Sequence, residues 1–178
     1  MLRHAKSDWH VDYGGEDRLR PLAPRGRRAA RTMGRFLATA RQVPQRALVS
    51  PAVRARETLE LAIRAGRWDC DVVTAEELYG GVDDVLDAIR RDGGDAGVLM
   101  IVGHEPTWSA TASRLACGAA FRLSTASVLR LDFDVGGWAD VEGNGTVQWL
   151  VAPRLVEGLL SSSPLVASDA PSTSPRGS

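Results

Sequence analysis

The sequence is poor in cysteine and has no long apolar run. Its two cysteines, Cys70 and Cys117, are too few for a disulfide framework or a cysteine zinc site, and such scarcity is typical of a reducing cytoplasm. No apolar stretch approaches the roughly 18 residues of a membrane-spanning helix. Charged residues interrupt the N-terminus from Arg3 onward, which is unlike a secretory signal peptide. We therefore expect a cytoplasmic protein with no membrane partner.

Lysine is almost absent as well. Of the 22 basic residues only Lys6 is not an arginine, and 22 acidic residues balance them. A net charge of zero argues against a nucleic-acid partner, because proteins of that class usually carry a basic surplus. Any anion site in this chain must be built from guanidinium groups, which bind phosphate oxygens in pairs.

Apolar segments of strand and helix length alternate along the chain and predict an α/β fold. A continuous apolar run at 97–102 is typical of a strand buried on both faces. We predict a three-layer α/β/α sandwich with a mostly parallel central sheet and a truncated first strand that ends at Leu2. Ser50 is predicted to cap a helix with Pro51 in its first turn and Gly66 just past its end. The other predicted strands span residues 46–50, 71–75, 97–102, 127–133 and 146–151, and the predicted helices span 24–41, 51–65, 82–91, 106–117 and 154–160.

These elements form one predicted domain over residues 1–160, which is long enough to bury a stable core. Residues 161–178 are rich in serine, proline and alanine. We predict that they form a disordered tail, because such a composition offers little apolar surface to bury.

Polar side chains follow three of the predicted strands. Arg3 and His4 follow the first strand, Arg54 lies one turn after the second, and His104 follows the central strand. Ligands of open α/β sheets bind beyond the carboxyl ends of the strands, so these groups are expected to meet in one pocket. Two imidazoles among guanidinium groups suit a bound dianion better than they suit an apolar core.

Four segments around these residues resemble the histidine phosphatase superfamily, in particular its small SixA-like phosphohistidine phosphatases. The similarity runs over most of the chain, leaves out the tail, and implies a phosphoglycerate mutase-like fold. The matching segments are Leu2–Ser7, Arg20–Gly26, Leu48–Thr58 and Val102–Pro106.

The resemblance makes His4 the phosphoryl acceptor and His104 the second active-site histidine. It makes Arg3, Arg20 and Arg54, together with His104, the groups that bind the phosphoryl oxygens. It implies a hydrolase that needs no metal or other cofactor, since arginines neutralise the charge of the phosphoryl group.

The chemistry requires a neutral imidazole at His4. Neighbouring arginines should lower the pKa of this imidazole. We also expect a backbone carbonyl close to Nδ1, which would fix the tautomer and leave Nε2 to attack phosphorus.

Several assignments stay open at this point. Arg18 competes with Arg20 for the phosphate-binding position in the loop, and Trp9 and Trp108 could either rim the pocket or pack elsewhere. The resemblance also leaves open which carboxyl group acts as general acid. The candidates are Glu77, Asp83 and Glu105.

The function favoured by the resemblance is hydrolysis of phosphohistidine on a partner protein, through a phosphohistidine intermediate on His4. A small-molecule phosphomonoesterase with the same chemistry is the first alternative. A non-catalytic phosphate-binding module is the second, because the short first strand would leave His4 close to a fraying chain end.

Overall fold

The computed structural model describes residues 1–10 and 15–162. Within these residues the strands are β1 (Leu2–Arg3), β2 (Arg46–Val49), β3 (Asp71–Thr74), β4 (Leu99–Gly103), β5 (Val128–Phe133) and β6 (Gly145–Val151). The α-helices are α1 (Pro24–Thr39), α2 (Val53–Gly66), α3 (Val82–Asp92), α4 (Thr107–Leu115) and α5 (Pro153–Ser162). Short 3₁₀ turns lie at Asp17–Leu19, Glu76–Tyr79 and Trp138–Asp140.

The described strands form one sheet in the order β3-β2-β4-β1-β5-β6. Strands β1 to β4 are parallel to one another, whereas β5 is antiparallel to both β1 and β6. Parallel strands need crossover connections, and helices α2 and α3 provide them. The predicted α/β sandwich with a mostly parallel sheet is therefore confirmed.

Alternate residues of each central strand face opposite helical layers. Val49 and Val102 pack into a cluster with α1, α2 and α5, whereas Leu48 and Ile101 pack into a second cluster with α3 and α4. Because β4 is covered on both faces, its sequence is apolar throughout. This explains why the run at 97–102 carries no polar residue.

The prediction for the start of α2 is wrong. Ser50 is not the cap, since the helix begins at Val53 and the preceding Ala52 makes no side-chain capping bond. The Ser50 hydroxyl lies 2.7 Å from Nε2 of His104 instead. Ser50 therefore belongs to the site and not to the helix.

The prediction for the end of α2 is also wrong in detail. Gly66 is the last helical residue, and the left-handed conformation falls on Arg67, with φ 54°. A side chain at position 66 would collide with the Trp68 ring and with the backbone of Gly34 in α1. Glycine is needed here for close packing of the two helices and not for its backbone freedom.

Strand β1 is short, as predicted, and this leaves an opening in the sheet. Leu2 pairs with both Val102 and Val128, but β4 extends three residues further toward the amino end, to Leu99. The gap between β4 and β5 forms part of a cavity of about 730 Å³ lined by Met1, among others. The cavity lies at the end of the sheet opposite to His4.

The C-terminal helix α5 runs slightly beyond the predicted domain boundary at residue 160. The rest of the predicted tail, 163–178, lies outside the described residues. In the part that is described, no helix is long and apolar enough to cross a membrane.

Candidate active site

His4 lies just past the carboxyl end of β1. Its backbone N–H donates to the carbonyl of Gly103 at 2.9 Å, and the N–H of Arg3 donates to Ser127 at 3.1 Å. The ring Nδ1 is 2.7 Å from the carbonyl oxygen of Ala5, so the predicted backbone carbonyl is present. This contact favours the Nδ1–H tautomer and leaves the lone pair on Nε2. The residue is 9% exposed, so only a small part of it meets solvent.

His104 faces His4 from the end of β4. The two ring centres are 5.0 Å apart at an angle of 49°, and the Tyr79 ring meets His104 edge-on at 5.3 Å. Nε2 of His104 is 2.7 Å from Oγ of Ser50. Its Nδ1 is buried and has no hydrogen-bond partner among the described residues. Such an orphaned polar atom is rare in a folded protein and marks a place where a ligand atom can bind.

Three arginines complete the site. Arg20 and Arg54 are each 5% exposed, and Arg3 anchors its guanidinium by donating to the carbonyl of Leu123 at 2.6 Å. Burial of unpaired guanidinium groups is costly, so each should have an anionic or polar partner. The nitrogens that are buried and unpaired within the described residues are Nε of Arg3, Nε and Nη1 of Arg20, and Nε of Arg54.

Asp17, which the sequence did not single out, joins two of these arginines at the rim. Arg54 donates to its backbone carbonyl at 2.7 Å and to its carboxylate at 2.8 Å, and Arg20 donates to the other carboxylate oxygen. The hydroxyl of Tyr79 donates to the same carboxylate at 3.1 Å. Although burial acts in the other direction, these donors hold the pKa of Asp17 below its usual value.

The electrostatic environment keeps both histidines neutral. Burial lowers the pKa of His4 to about 4, with Arg54, Arg3 and Arg20 adding to the effect and the Ala5 carbonyl opposing it. Burial also lowers the pKa of His104, to about 3, and His4 adds to this. The direction agrees with the prediction, but desolvation is a larger cause than the arginines.

The three candidate acids differ in position. Glu77 accepts from Arg91 at 2.7 Å, and this hydrogen bond lowers the pKa of its carboxyl group. Asp83 lies 3.4 Å from Arg114. Glu105 accepts from the Ser109 hydroxyl. It is the candidate whose charge acts on a site arginine, since it counteracts the burial that lowers the pKa of Arg3.

The competing assignments are separated by burial and contacts. Arg18 is directed to Glu76, with 2.5 Å between nitrogen and oxygen, so Arg20 is the loop arginine that reaches the site. Trp108 is fully buried. It packs so closely on Gly103 that a side chain there would overlap its ring. Trp9 is exposed at the rim, with its ring centre 3.4 Å from the Arg20 guanidinium carbon.

Thr58 is a second residue that the sequence did not single out. It is fully buried. Its hydroxyl accepts from the Ala5 N–H at 2.9 Å and donates to the Arg54 carbonyl at 2.6 Å. Thr58 therefore ties the segment that orients His4 to the helix that carries Arg54. Thr58 lies in Leu48–Thr58, one of the segments that resemble the family, and this position was the signal in the sequence that could have pointed to it.

Metal ligands do not cluster at the site. Across residues 1–10 and 15–162, no three or more histidine, cysteine, aspartate or glutamate side chains come together as a metal site would require. The charged groups that act on the two imidazoles are the guanidinium groups of the site and the Asp17 carboxylate.

The chain has recognisable relatives. A family model for the histidine phosphatase superfamily (branch 1) matches residues 1–80. An uncharacterized protein of Mycobacterium tuberculosis is 39% identical over 154 residues, which is 79% of this chain and 92% of that protein.

Solved structures give the same result. The candidate phosphohistidine phosphatase SixA of Nakamurella multipartitia has 30% identity and a TM-score of 0.73, over 85% of this chain and 93% of the other. Its counterpart from Agrobacterium tumefaciens has 26% identity and a TM-score of 0.70, over 85% and 95%. The chain belongs to the histidine phosphatase superfamily and resembles its SixA-like members in architecture, so it is a phosphatase.

Proposed function

We propose that this phosphatase removes the phosphoryl group from phosphohistidine on a partner protein, by way of a phosphohistidine intermediate on His4. The observation that carries the proposal is the imidazole of His4, neutral and fixed through Nδ1 by the Ala5 carbonyl. It faces His104 within a group of buried arginines. The names of the SixA-like neighbours support the choice of substrate.

In the first step, Nε2 of His4 attacks phosphorus while the bond from phosphorus to the substrate imidazole breaks. The departing nitrogen takes up a proton from solvent. Negative charge spreads over the phosphoryl oxygens during this transfer. Within the described residues, the Nε atoms of Arg3, Arg20 and Arg54 are buried donors without a hydrogen-bond partner, so in this proposal they meet that charge without reorganising.

In the second step, water attacks phospho-His4, the new nitrogen–phosphorus bond breaks, and orthophosphate leaves with the neutral imidazole restored. One ring nitrogen of His104, Nε2, contacts Ser50, and the other, Nδ1, has no hydrogen-bond partner among the residues that the structure describes. In this proposal it binds a phosphoryl oxygen through Nδ1 in both steps. Ser50 fixes the ring orientation that this role requires.

The decisive experiment is to trap the intermediate. Brief incubation with a phosphohistidine peptide, followed by quenching, should leave alkali-stable, acid-labile phosphate on His4. His4→Ala should lose the label and the turnover while keeping its thermal unfolding midpoint. His10→Ala is the matched control. His10 is exposed, and none of the described contacts joins its ring to the site.

The same assay separates the alternatives. Faster turnover of sugar or nucleotide phosphates than of the peptide would favour a small-molecule phosphomonoesterase. Binding of orthophosphate by wild-type protein, with no turnover of peptide or aryl phosphate, would favour a non-catalytic phosphate-binding module.

A further inference from the structure

Asp17 is placed at the centre of the contacts that hold the two most buried arginines. The 3₁₀ turn Asp17–Leu19 presents both its backbone carbonyl and its carboxylate to Arg54, and its second carboxylate oxygen faces Arg20. Asp17 and Arg54 are 37 residues apart in the sequence. One short turn therefore joins helix α2 to the loop that carries Arg20.

A carboxylate among phosphate-binding arginines has two opposite explanations. It can occupy the donors that a phosphoryl group needs, so that it blocks the site. Alternatively it can bind one side of each guanidinium group and present the other side to the ligand. The two explanations differ in which donors remain free.

The unpaired donors favour the second explanation. With Asp17 bound, Arg54 still has a buried Nε without a partner, and Arg20 still has both Nε and Nη1, as judged within the described residues. Nε of Arg3 and Nδ1 of His104 are unpaired in the same way. The side chain of Asp17 is 47% exposed, in contrast to the 6% of each arginine side chain. The carboxylate thus lies at the rim, and the donors beneath it stay unfilled.

Tyr79 and Arg18 fasten this turn to the opposite rim. The Tyr79 hydroxyl donates to Asp17 at 3.1 Å while its ring meets His104 edge-on. Arg18 pairs with Glu76 of the turn that contains Tyr79. The Asp17 carboxylate therefore contacts Tyr79 as well as Arg20 and Arg54. Because Tyr79 limits the movement of the carboxylate, the carboxylate in turn limits the movement of the two guanidinium groups.

We propose that Asp17 is a positioning residue that orients Arg20 and Arg54 for the phosphoryl group, with Tyr79 holding the carboxylate in place. This inference rests on the proposed function for its effect on turnover, but its effect on anion binding does not. The negative charge by itself would repel a phosphoryl group, so a net benefit requires that orientation outweighs repulsion.

The test uses Asp17→Ala and Asp17→Asn, assayed for kcat and KM with phosphohistidine peptide and an aryl phosphate. Orthophosphate affinity is measured separately by calorimetry. We expect kcat of Asp17→Ala to fall by up to about 100-fold, as for other misplaced catalytic groups. The asparagine keeps one oxygen acceptor and should restore part of this loss. Tyr79→Phe should act in the same direction with a smaller effect.

Asp8→Asn is the matched control, because Asp8 carries the same charge nearby in the sequence but, among the described residues, accepts from the backbone N–H of His10 and from no site arginine. It should leave kcat unchanged. Weaker orthophosphate binding by Asp17→Ala, with an unchanged thermal midpoint in Asp17→Asn, supports positioning even if wild-type protein hydrolyses neither substrate. Tighter orthophosphate binding or faster turnover in Asp17→Ala would overturn the proposal in favour of a blocking carboxylate.

Discussion

The two ends of the central sheet bury basic groups in different surroundings. At the carboxyl end, His4 and His104 lie close enough to buried or half-buried arginines for the guanidinium charges to act on them, and these arginines keep unpaired buried nitrogens within the described residues. At the amino end, the Met1 ammonium donates to the Leu129 carbonyl at 2.7 Å beside a cavity of about 730 Å³. Burial alone lowers its pKa to about 5. The same strands therefore desolvate a base at each end, but within the described residues the unpaired guanidinium nitrogens belong to arginines at the carboxyl end.

This difference shows that a buried base does not make a site without partners that suit a ligand. The Met1 amine has a depressed pKa, as the histidines do, yet its surroundings include apolar side chains such as Met100 and Leu131. The imidazoles instead share their end of the sheet with arginines whose buried nitrogens are unpaired among the described residues. Depressed pKa values support a functional assignment only when the geometry does so as well.

The largest difference between the two ends is expected when one arginine is replaced at each of them, Arg54 in α2 just after β2 and Arg46 at the start of β2. Arg54→Met, at the carboxyl end, should lower kcat by about 10²–10³, because it removes a preorganised donor to the phosphoryl oxygens. Arg46→Met, at the amino end, removes contacts to Asp71 and to the Asp92 carbonyl. It should cost less than about 1 kcal/mol of stability and leave kcat unchanged. Steady-state kinetics and urea unfolding measure both effects, and equal kinetic losses would contradict the comparison.

The pH dependence of stability should come from the buried bases at both ends of the sheet, and the two histidines give the carboxyl end the larger share. Both histidines have folded pKa values, about 4 and about 3, below the 6.5 of a free imidazole. The unfolded chain therefore binds more protons between pH 6.5 and the folded values, so the free energy of unfolding falls as the pH falls. From pH 7 to pH 5 each histidine should account for about 2 kcal/mol.

Urea unfolding at pH 7, 6 and 5 measures this dependence. His104→Gln should show a shallower decline than the wild-type protein, whereas His10→Gln, at an exposed position, should follow it. Identical slopes for all three proteins would mean that the buried imidazoles do not control the acid sensitivity.

The smallest expected effect concerns the amino end. Four added residues before Met1, Val-Thr-Leu-Val, should extend β1 between β4 and β5. They should stabilise the fold by about 1–2 kcal/mol, through new cross-strand contacts and because the amino group no longer has to be buried with a depressed pKa. Thermal unfolding measures the gain, and a Gly-Ser-Gly-Ser extension is the control. An equal gain from both extensions would assign the effect to the release of the Met1 amino group from burial and not to new strand pairing. The kcat should stay the same with either extension.

Local sequence patterns were enough to predict those features that depend on one segment of the chain at a time. The apolar run at 97–102 predicted the central strand, and the strand ends predicted that Arg3, His4, Arg54 and His104 would meet. Both predictions depend only on the pattern of apolar residues along each strand and on the rule that ligands bind at the carboxyl ends of parallel strands. The helix ends at Ser50 and Gly66 were mispredicted because a capping pattern does not show which distant group competes for the same residue.

By itself, then, the sequence determined the α/β class, the order of the layers and the four segments that supply imidazole and guanidinium groups. Only the tertiary structure decided that Asp17 holds Arg54 across 37 residues and that Ser50 holds His104 across 54. The physical reason is that such a hydrogen bond joins residues from separate elements. Its geometry exists only after the sheet and both helical layers have packed, and no local propensity contains it.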